Sequence, residues 1–185
     1  MKYIIEHLEP KLYEWCLIEY KHISELIGKE NLIITNVKNK SRLRNITKHA
    51  FKKSFFELGL RSICLLTLYA RKTLTKEDSK KFNYLVLGGI LGDNPPKKRT
   101  IKYFDRTKCE KRNLGSKQMS TDTAIYVADS IIKGKSINDF DFIDTIEIKL
   151  DNCLGVELPF RYVKLNGKIL LPKGLIKFLK KRDNI

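Results

Sequence analysis

The chain has 185 residues, 42% of them hydrophobic and 31% charged, which suits one α/β domain with its own core and excludes a disordered chain. No apolar run approaches the length of about 18 residues that a membrane-spanning helix needs. Lys2 and Glu6 also interrupt what would be the apolar centre of a secretion signal, so a cytoplasmic protein with no membrane partner is expected. With 37 Lys and Arg against 21 Asp and Glu, the formal net charge is +16. This favours polyanionic partners such as RNA or the ribosome, although a composition rich in Lys, Asn and Ile accounts for part of it.

In chain order, Lys2–His7 reads as a first strand. Pro10 suits a helix first turn, and Leu12, Trp15, Cys16, Ile23, Leu26 and Ile27 recur at helical spacing until Gly28. Residues 31–37, 61–68 and 82–88 are apolar runs without strict alternation, the pattern of parallel strands covered on both faces. Ser120 or Thr121 can cap a helix running to about Lys133, with Ala124, Ile125, Ala128, Ile131 and Ile132 on its buried face. Residues 142–149 alternate as a strand. Residues 162–165 and 168–171 flank Asn166-Gly167, whose tolerance of positive φ predicts a hairpin, and a basic amphipathic helix ends the chain. Cys16, Cys64, Cys109 and Cys153 form no Cys-x-x-Cys pair and His7, His22 and His49 no ligand spacing, so no metal site is expected and the cysteines read as reduced thiols.

Basic residues gather at 38–53 (Lys38, Lys40, Arg42, Arg44, Lys48, Lys52, Lys53), at 97–117 and in the tail. Each run is either a solvated face or a phosphate-contacting one. Three segments could carry chemistry. The apolar strand ending at Leu87 runs into Gly88-Gly89-Ile90-Leu91-Gly92-Asp93, where missing side chains let a backbone approach a ligand or make a tight turn. This is neither a P-loop nor a Gly-x-Gly-x-x-Gly turn. Leu114–Ala124 leads polar residues into a helix N-terminus, as a pocket wall or as capping. Glu157-Leu158-Pro159-Phe160-Arg161-Tyr162 could line a substrate mouth or simply enter a strand.

Taken together, Met1–His7, Glu14-Trp15, Glu19-Tyr20, Gly88–Asp93 with Pro95-Pro96 and Arg99-Thr100, Leu114–Ala124, Pro159–Val163 and Leu171-Pro172 with Gly174 resemble one family. It is the SPOUT-class methyltransferases whose characterised fungal member methylates an arginine of the third small-subunit ribosomal protein. The chain departs from it at Thr67-Leu68, where the family usually has Asp-Pro, and at 38–53, which shows no resemblance.

The resemblance implies an α/β SPOUT fold: a mainly parallel sheet with helices on both faces and a C-terminal trefoil knot. One methyltransferase domain would span 1–185, with a basic variable segment at about 38–58 and a C-terminal hairpin plus helix at about 160–183. It implies S-adenosyl-L-methionine held by Thr67 and Leu68, by Leu87, Gly88, Gly89, Leu91, Gly92 and Asp93, and by Leu114, Gly115, Lys117, Gln118, Met119 and Thr123. Substrate contacts would fall to His7, Trp15, Arg99, Phe160 and Arg161.

An arginine substrate is protonated at neutral pH, so a carboxylate must orient the guanidinium and accept a proton as the methyl arrives. Glu6, Glu19, Asp122 and Glu157 are the candidates, with Asp93 beside its loop. The partner implied is a small-subunit ribosomal protein, with ribosomal RNA against the basic faces. Monomer and homodimer both remain open. The rival function is an RNA methyltransferase acting on rRNA or tRNA; a non-catalytic ribosome-binding protein is the third.

Overall fold

The computed structural model describes residues 1–89, 103–104, 107–149 and 155–182. Short runs of β-branched and leucine residues form a six-stranded sheet in which every pairing is parallel. Its strands are β1 (Lys2–His7), β2 (Leu32–Thr35), β3 (His49–Ala50), β4 (Ile63–Leu66), β5 (Tyr84–Gly89) and β6 (Glu110–Arg112), in the order β3-β2-β1-β5-β4-β6. The expected strands at 31–37 and 61–68 are shorter than their apolar runs. The edge strands β3 and β6 lie in charged segments that carry no strand signal.

The side-chain period of two divides the sheet between two cores. Tyr3, Ile5, Leu32, Ile34, Leu85 and Leu87 face helix α1 (Glu14–Ile27) and helix α2 (Thr121–Ile132). Ile4, Leu65 and Val86 face Phe55 and Phe104. The second face is covered by the 3₁₀ turn Phe55–Glu57 and by the helical residues Tyr103 and Phe104. Helix α1 does not begin near Pro10; its N-cap is Tyr13, and Gly28 closes it at φ 84 by donating its N–H to the Ser24 carbonyl.

A second, antiparallel sheet follows: β7 (Asp141–Lys149), β8 (Gly155–Leu165) and β9 (Lys168–Ile169). Asn166 and Gly167 take φ of 50 and 74, the positive pair a two-residue turn requires. β7 carries a register shift between Asp144 and Ile146, with Thr145 at φ 57. Ile146, Ile148, Leu158 and Tyr162 pack with Leu175 and Leu179 of helix α3 (Leu175–Arg182) and with Trp15 and Ile18 on the outer side of α1. Trp15 and Phe178 meet edge to face at 6.0 Å. Helix α1 is thus clamped between the two cores.

Among the described residues no helix is long and apolar enough to cross a membrane, and no group of His, Cys, Asp or Glu could hold a metal ion. Cys16, Cys64 and Cys109 are free; burial pushes the Cys16 and Cys64 thiols up to about 12. Cys153 lies outside the described residues.

Gly89 shows how closely α1 sits on the sheet. A Cβ there would fall against the Tyr20 hydroxyl and 2.6 Å from Cγ2 of Ile5. Gly89→Ala is expected to lower stability by about 1–3 kcal/mol through overpacking, measured as a shift of the urea midpoint at unchanged m-value.

Candidate active site

The strand order reverses between β1 and β5: β1 leads outward to β2, β5 toward the far edge. In open parallel sheets ligands bind outside the carboxyl ends of the strands at such a reversal. His7 ends β1 and Gly88-Gly89 end β5, paired as Glu6↔Gly88 and His7↔Gly89. Thr67 follows β4 and Asn113 follows β6, so the three expected cofactor segments emerge from the adjacent strands β5, β4 and β6.

The loops after β4 and β6 are joined. The N–H of Thr67 donates to the Arg112 carbonyl at 2.9 Å, and the Asn113 side chain bonds to Ala70, Thr73 and Gly115. Behind them Arg112 forms a buried fork with Asp78. Gly115 sits at φ 95, and a Cβ there would meet nothing within 4 Å, so the loop turns with open space at that point. Leu68 is exposed, Leu114 half-buried. The far end of the second loop is tied to β8: the Arg161 N–H donates to the Gln118 carbonyl, Met119 bridges Arg161, and Lys117 reaches Asp144 at 2.6 Å.

Where this loop enters α2, a buried acid cluster forms. Trp15, Glu19 and His22 lie on one face of α1, spaced i, i+4 and i+7. Trp15 Nε1 donates to Glu19 Oε1 at 3.0 Å, and His22 Nδ1 lies 2.8 Å from Asp122 Oδ2. Asp122, in the first turn of α2, is 1% exposed, and among the described residues its Oδ1 has no hydrogen-bond partner. Burial raises the Glu19 carboxyl to about 8; the Asp122 carboxyl adds to the shift, and hydrogen bonds from Trp15 and Thr121 oppose it. Tyr162, from β8, is raised as well, by burial and then by Asp122 and Glu19. Two carboxyls, a tryptophan and a phenol converge where no lysine or arginine of the described residues pairs with either acid. Such a cluster has the acceptors to pair with a planar cation carrying several N–H donors.

The remaining expected residues are dispersed. Glu6 points to the other face of the sheet, where Thr35 Oγ1, the Phe55 N–H at 3.1 Å and the Tyr103 hydroxyl at 2.6 Å donate to its two oxygens. It stands apart from the acid cluster. Glu157 is exposed on β8 opposite Glu147, also apart. Arg161 is committed to a two-point ion pair with Asp144 and lies over Phe142 at 4.7 Å, so its fork is held within the protein. Phe160 packs beside Trp15 in the outer core.

Leu87 is core, and Thr123 is buried where it accepts from the Ser120 hydroxyl. The missing Cβ of Gly89 is required by Tyr20, a reason internal to the fold. Buried His7 contacts the Tyr20 hydroxyl through Nδ1 at 2.9 Å, and burial holds its imidazole below the ordinary range. Leu91, Gly92, Asp93 and Arg99 lie outside the described residues. His22 and Asn113 were not singled out by sequence, and Tyr162 only as the last residue of the segment 157–162; the His22 spacing along α1 was there to be read.

Comparison with known proteins identifies the family. Residues 2–184 match the family described as protein arginine N-methyltransferase SFM1-like. Protein arginine N-methyltransferase SFM1 of Saccharomyces cerevisiae is 38% identical over 202 residues, covering 98% of this chain and 95% of that protein. The crystal structure of yeast SFM1 complexed with SAH aligns with a TM-score of 0.87 at 38% identity, over 97% of this chain and 94% of that one. The complex with SAM gives 0.87 at 36% identity, over 100% and 92%. The dual specific Trm10 from Thermococcus kodakaraensis, at 18% identity and TM-score 0.51 over 75% of this chain and 95% of that one, shares the fold alone.

A carboxyl that binds its proton more tightly folded than unfolded contributes stability that is complete below the unfolded pKa and lost as pH rises through the folded one. For Glu19 that window runs from 4.5 to about 8. Wild-type melting temperature should fall across it more steeply than that of Glu19→Gln, as thermal melts of both proteins from pH 4 to 9 will show.

Proposed function

The chain belongs to the SFM1-like family of protein arginine N-methyltransferases, and we propose that it transfers the methyl group of S-adenosylmethionine to an arginine side chain of a small-subunit ribosomal protein. The observation that carries the arginine assignment is the buried pair Glu19–Asp122, with its uncommitted Asp122 Oδ1, at the point where a cofactor loop enters α2.

The cofactor fits the residues present. The chain leaves the carboxyl ends of three adjacent parallel strands here, and Gly115 at positive φ has open space beside it. Thr67 and Leu68, the Gly88 strand end and Leu114–Met119 would hold the nucleoside. Bound there, S-adenosylmethionine supplies an electrophilic methyl carbon and departs as a neutral thioether.

The chain's own residues then have three tasks. Trp15 and Phe160 offer apolar walls for the arginine stem. The approaching cation favours the ionised form of Glu19, which gives up its proton, and the two carboxylates grip the guanidinium fork. His22 steadies Asp122 through Oδ2 and leaves Oδ1 toward the substrate nitrogen. As that nitrogen gains a carbon it becomes acidic, and a carboxylate within hydrogen-bond reach takes up the proton.

The whole chain, read as one cytoplasmic SPOUT unit, includes a trefoil knot in its C-terminal half. In support, α2 follows the loop after edge strand β6 and packs back against α1 and β5, and the chain shares its fold with Trm10. The exposed basic residues Lys38, Lys40, Arg44, Lys52 and Lys53 around β3 suit ribosomal RNA beside the protein substrate. That charge also keeps a second reading in view, methylation of RNA itself.

Labelling separates the two. Purified enzyme given methyl-labelled cofactor and either ribosomal proteins or bulk RNA should place the label in methylarginine of the protein fraction. Label confined to RNA would overturn the arginine assignment. Asp122→Asn and Glu19→Gln should each lower kcat/KM by roughly 10²–10⁴-fold, the usual contribution of a positioned proton acceptor, while SAH binding measured by calorimetry stays within about threefold of wild type.

A further inference from the structure

Asn113 sits just past β6 and makes five hydrogen bonds, all to the two loops flanking the proposed cofactor site. Its backbone N–H donates to the Lys72 carbonyl at 2.8 Å, and its carbonyl accepts from the Leu74 N–H at 2.9 Å. Its side-chain Nδ2 donates to the Ala70 carbonyl at 2.8 Å. Oδ1 accepts both the Thr73 hydroxyl and the Gly115 N–H, each at 3.0 Å. An amide suits this place because it alone combines a carbonyl for two donors with an N–H for a main-chain acceptor.

The connection is directional. Ala70 and Thr73 belong to the loop after β4, and Gly115 to the loop after β6, so one side chain spans the gap between the two. On the β6 side it fixes the residue before Ser116 and Lys117, at the point where Gly115 takes positive φ beside open space. On the β4 side it holds the turn that carries exposed Leu68 and Tyr69. The ladder below ends at Leu66↔Arg112, extended by the bond from Thr67 to the Arg112 carbonyl and by the single parallel backbone bridge Thr73↔Asn113, so beyond that bridge the Asn113 side chain carries the connection from Ala70 and Thr73 across to Gly115.

We propose that Asn113 is a positioning residue for the cofactor: its side-chain amide sets the separation of the loops after β4 and β6 and so the width of the nucleoside site. It touches neither sulfur nor methyl and acts through Ala70, Thr73 and Gly115. The proposal rests on the cofactor reading above. Removing the amide lets the loops relax apart, and ligand binding must then re-impose their spacing, which weakens ground-state binding while leaving the substrate recess intact.

The test uses the full chain. Asn113→Ala should bind SAH about tenfold more weakly by calorimetry, the loss expected when about two net hydrogen bonds are given up. KM for S-adenosylmethionine should rise by a similar factor, with kcat at saturating cofactor changed less than about twofold. Thr73→Val, at an exposed position, removes one of the same bonds and keeps the assay valid should the alanine variant fold poorly; a few-fold weakening is expected. Tyr3→Phe serves as the control. It deletes the 2.9 Å bond from the Tyr3 hydroxyl to Asp129 of α2, distant from both loops, and should lower the melting temperature without altering SAH affinity. Unchanged SAH affinity in folded Asn113→Ala and in Thr73→Val, or an equal loss in Tyr3→Phe, overturns the assignment. Failure of the wild-type protein to bind SAH would remove the cofactor reading, and this inference with it.

Discussion

Everything near the candidate site depends on helix α1 being buried from two sides. Cys16, Tyr20, Ile23 and Ile27 face the parallel sheet, while Trp15 and Ile18 face the antiparallel ribbon and α3. A helix held this way has few solvated positions left, and polar residues on the line between its two apolar stripes are forced inside. Glu19 and His22 lie on that line, and Asp122 meets them from the first turn of α2. Two carboxyls brought together in a dry place are costly unless a cation joins them.

The rest of the architecture holds that meeting point steady. Tyr162 arrives from β8, Ser120 from the end of the loop, and Asp144 gathers Lys117 of the loop and Arg161 of the ribbon on one carboxylate. The loop proposed to border the cofactor therefore leans on the ribbon proposed to border the substrate. Arg112 and Asp78 form the counterpart behind the other loop, a buried fork that keeps the β6 edge in place.

The sequence carried the central strands and α2 well because their residues are apolar on a regular period. Leu85, Val86 and Ile125 could scarcely be anywhere but inside. It did not carry β3 or β6, whose His49-Ala50 and Glu110-Lys111-Arg112 are too short or too polar to show a strand pattern and join the sheet through backbone pairing. Trp15 and Glu19 were legible from the family resemblance and their spacing, whereas the approach of Asp122 from a hundred residues away was not, since no local pattern encodes it. Glu6 and Arg161 show the converse. Each has the right chemistry in a family-like segment, and each is occupied by neighbours that only the fold brings near: Tyr103 and Phe55 for the first, Asp144 for the second. Asn113 escaped notice because a loop asparagine reads first as a turn former.

The uncommitted oxygen of Asp122 has a consequence for turnover. A methylated arginine keeps its full positive charge and loses only one N–H, so on this reading the acid recess grips the product through nearly the same attraction as the substrate. Release would then fall to the added methyl, which a carboxylate oxygen cannot solvate and the walls of Trp15 and Phe160 must accommodate.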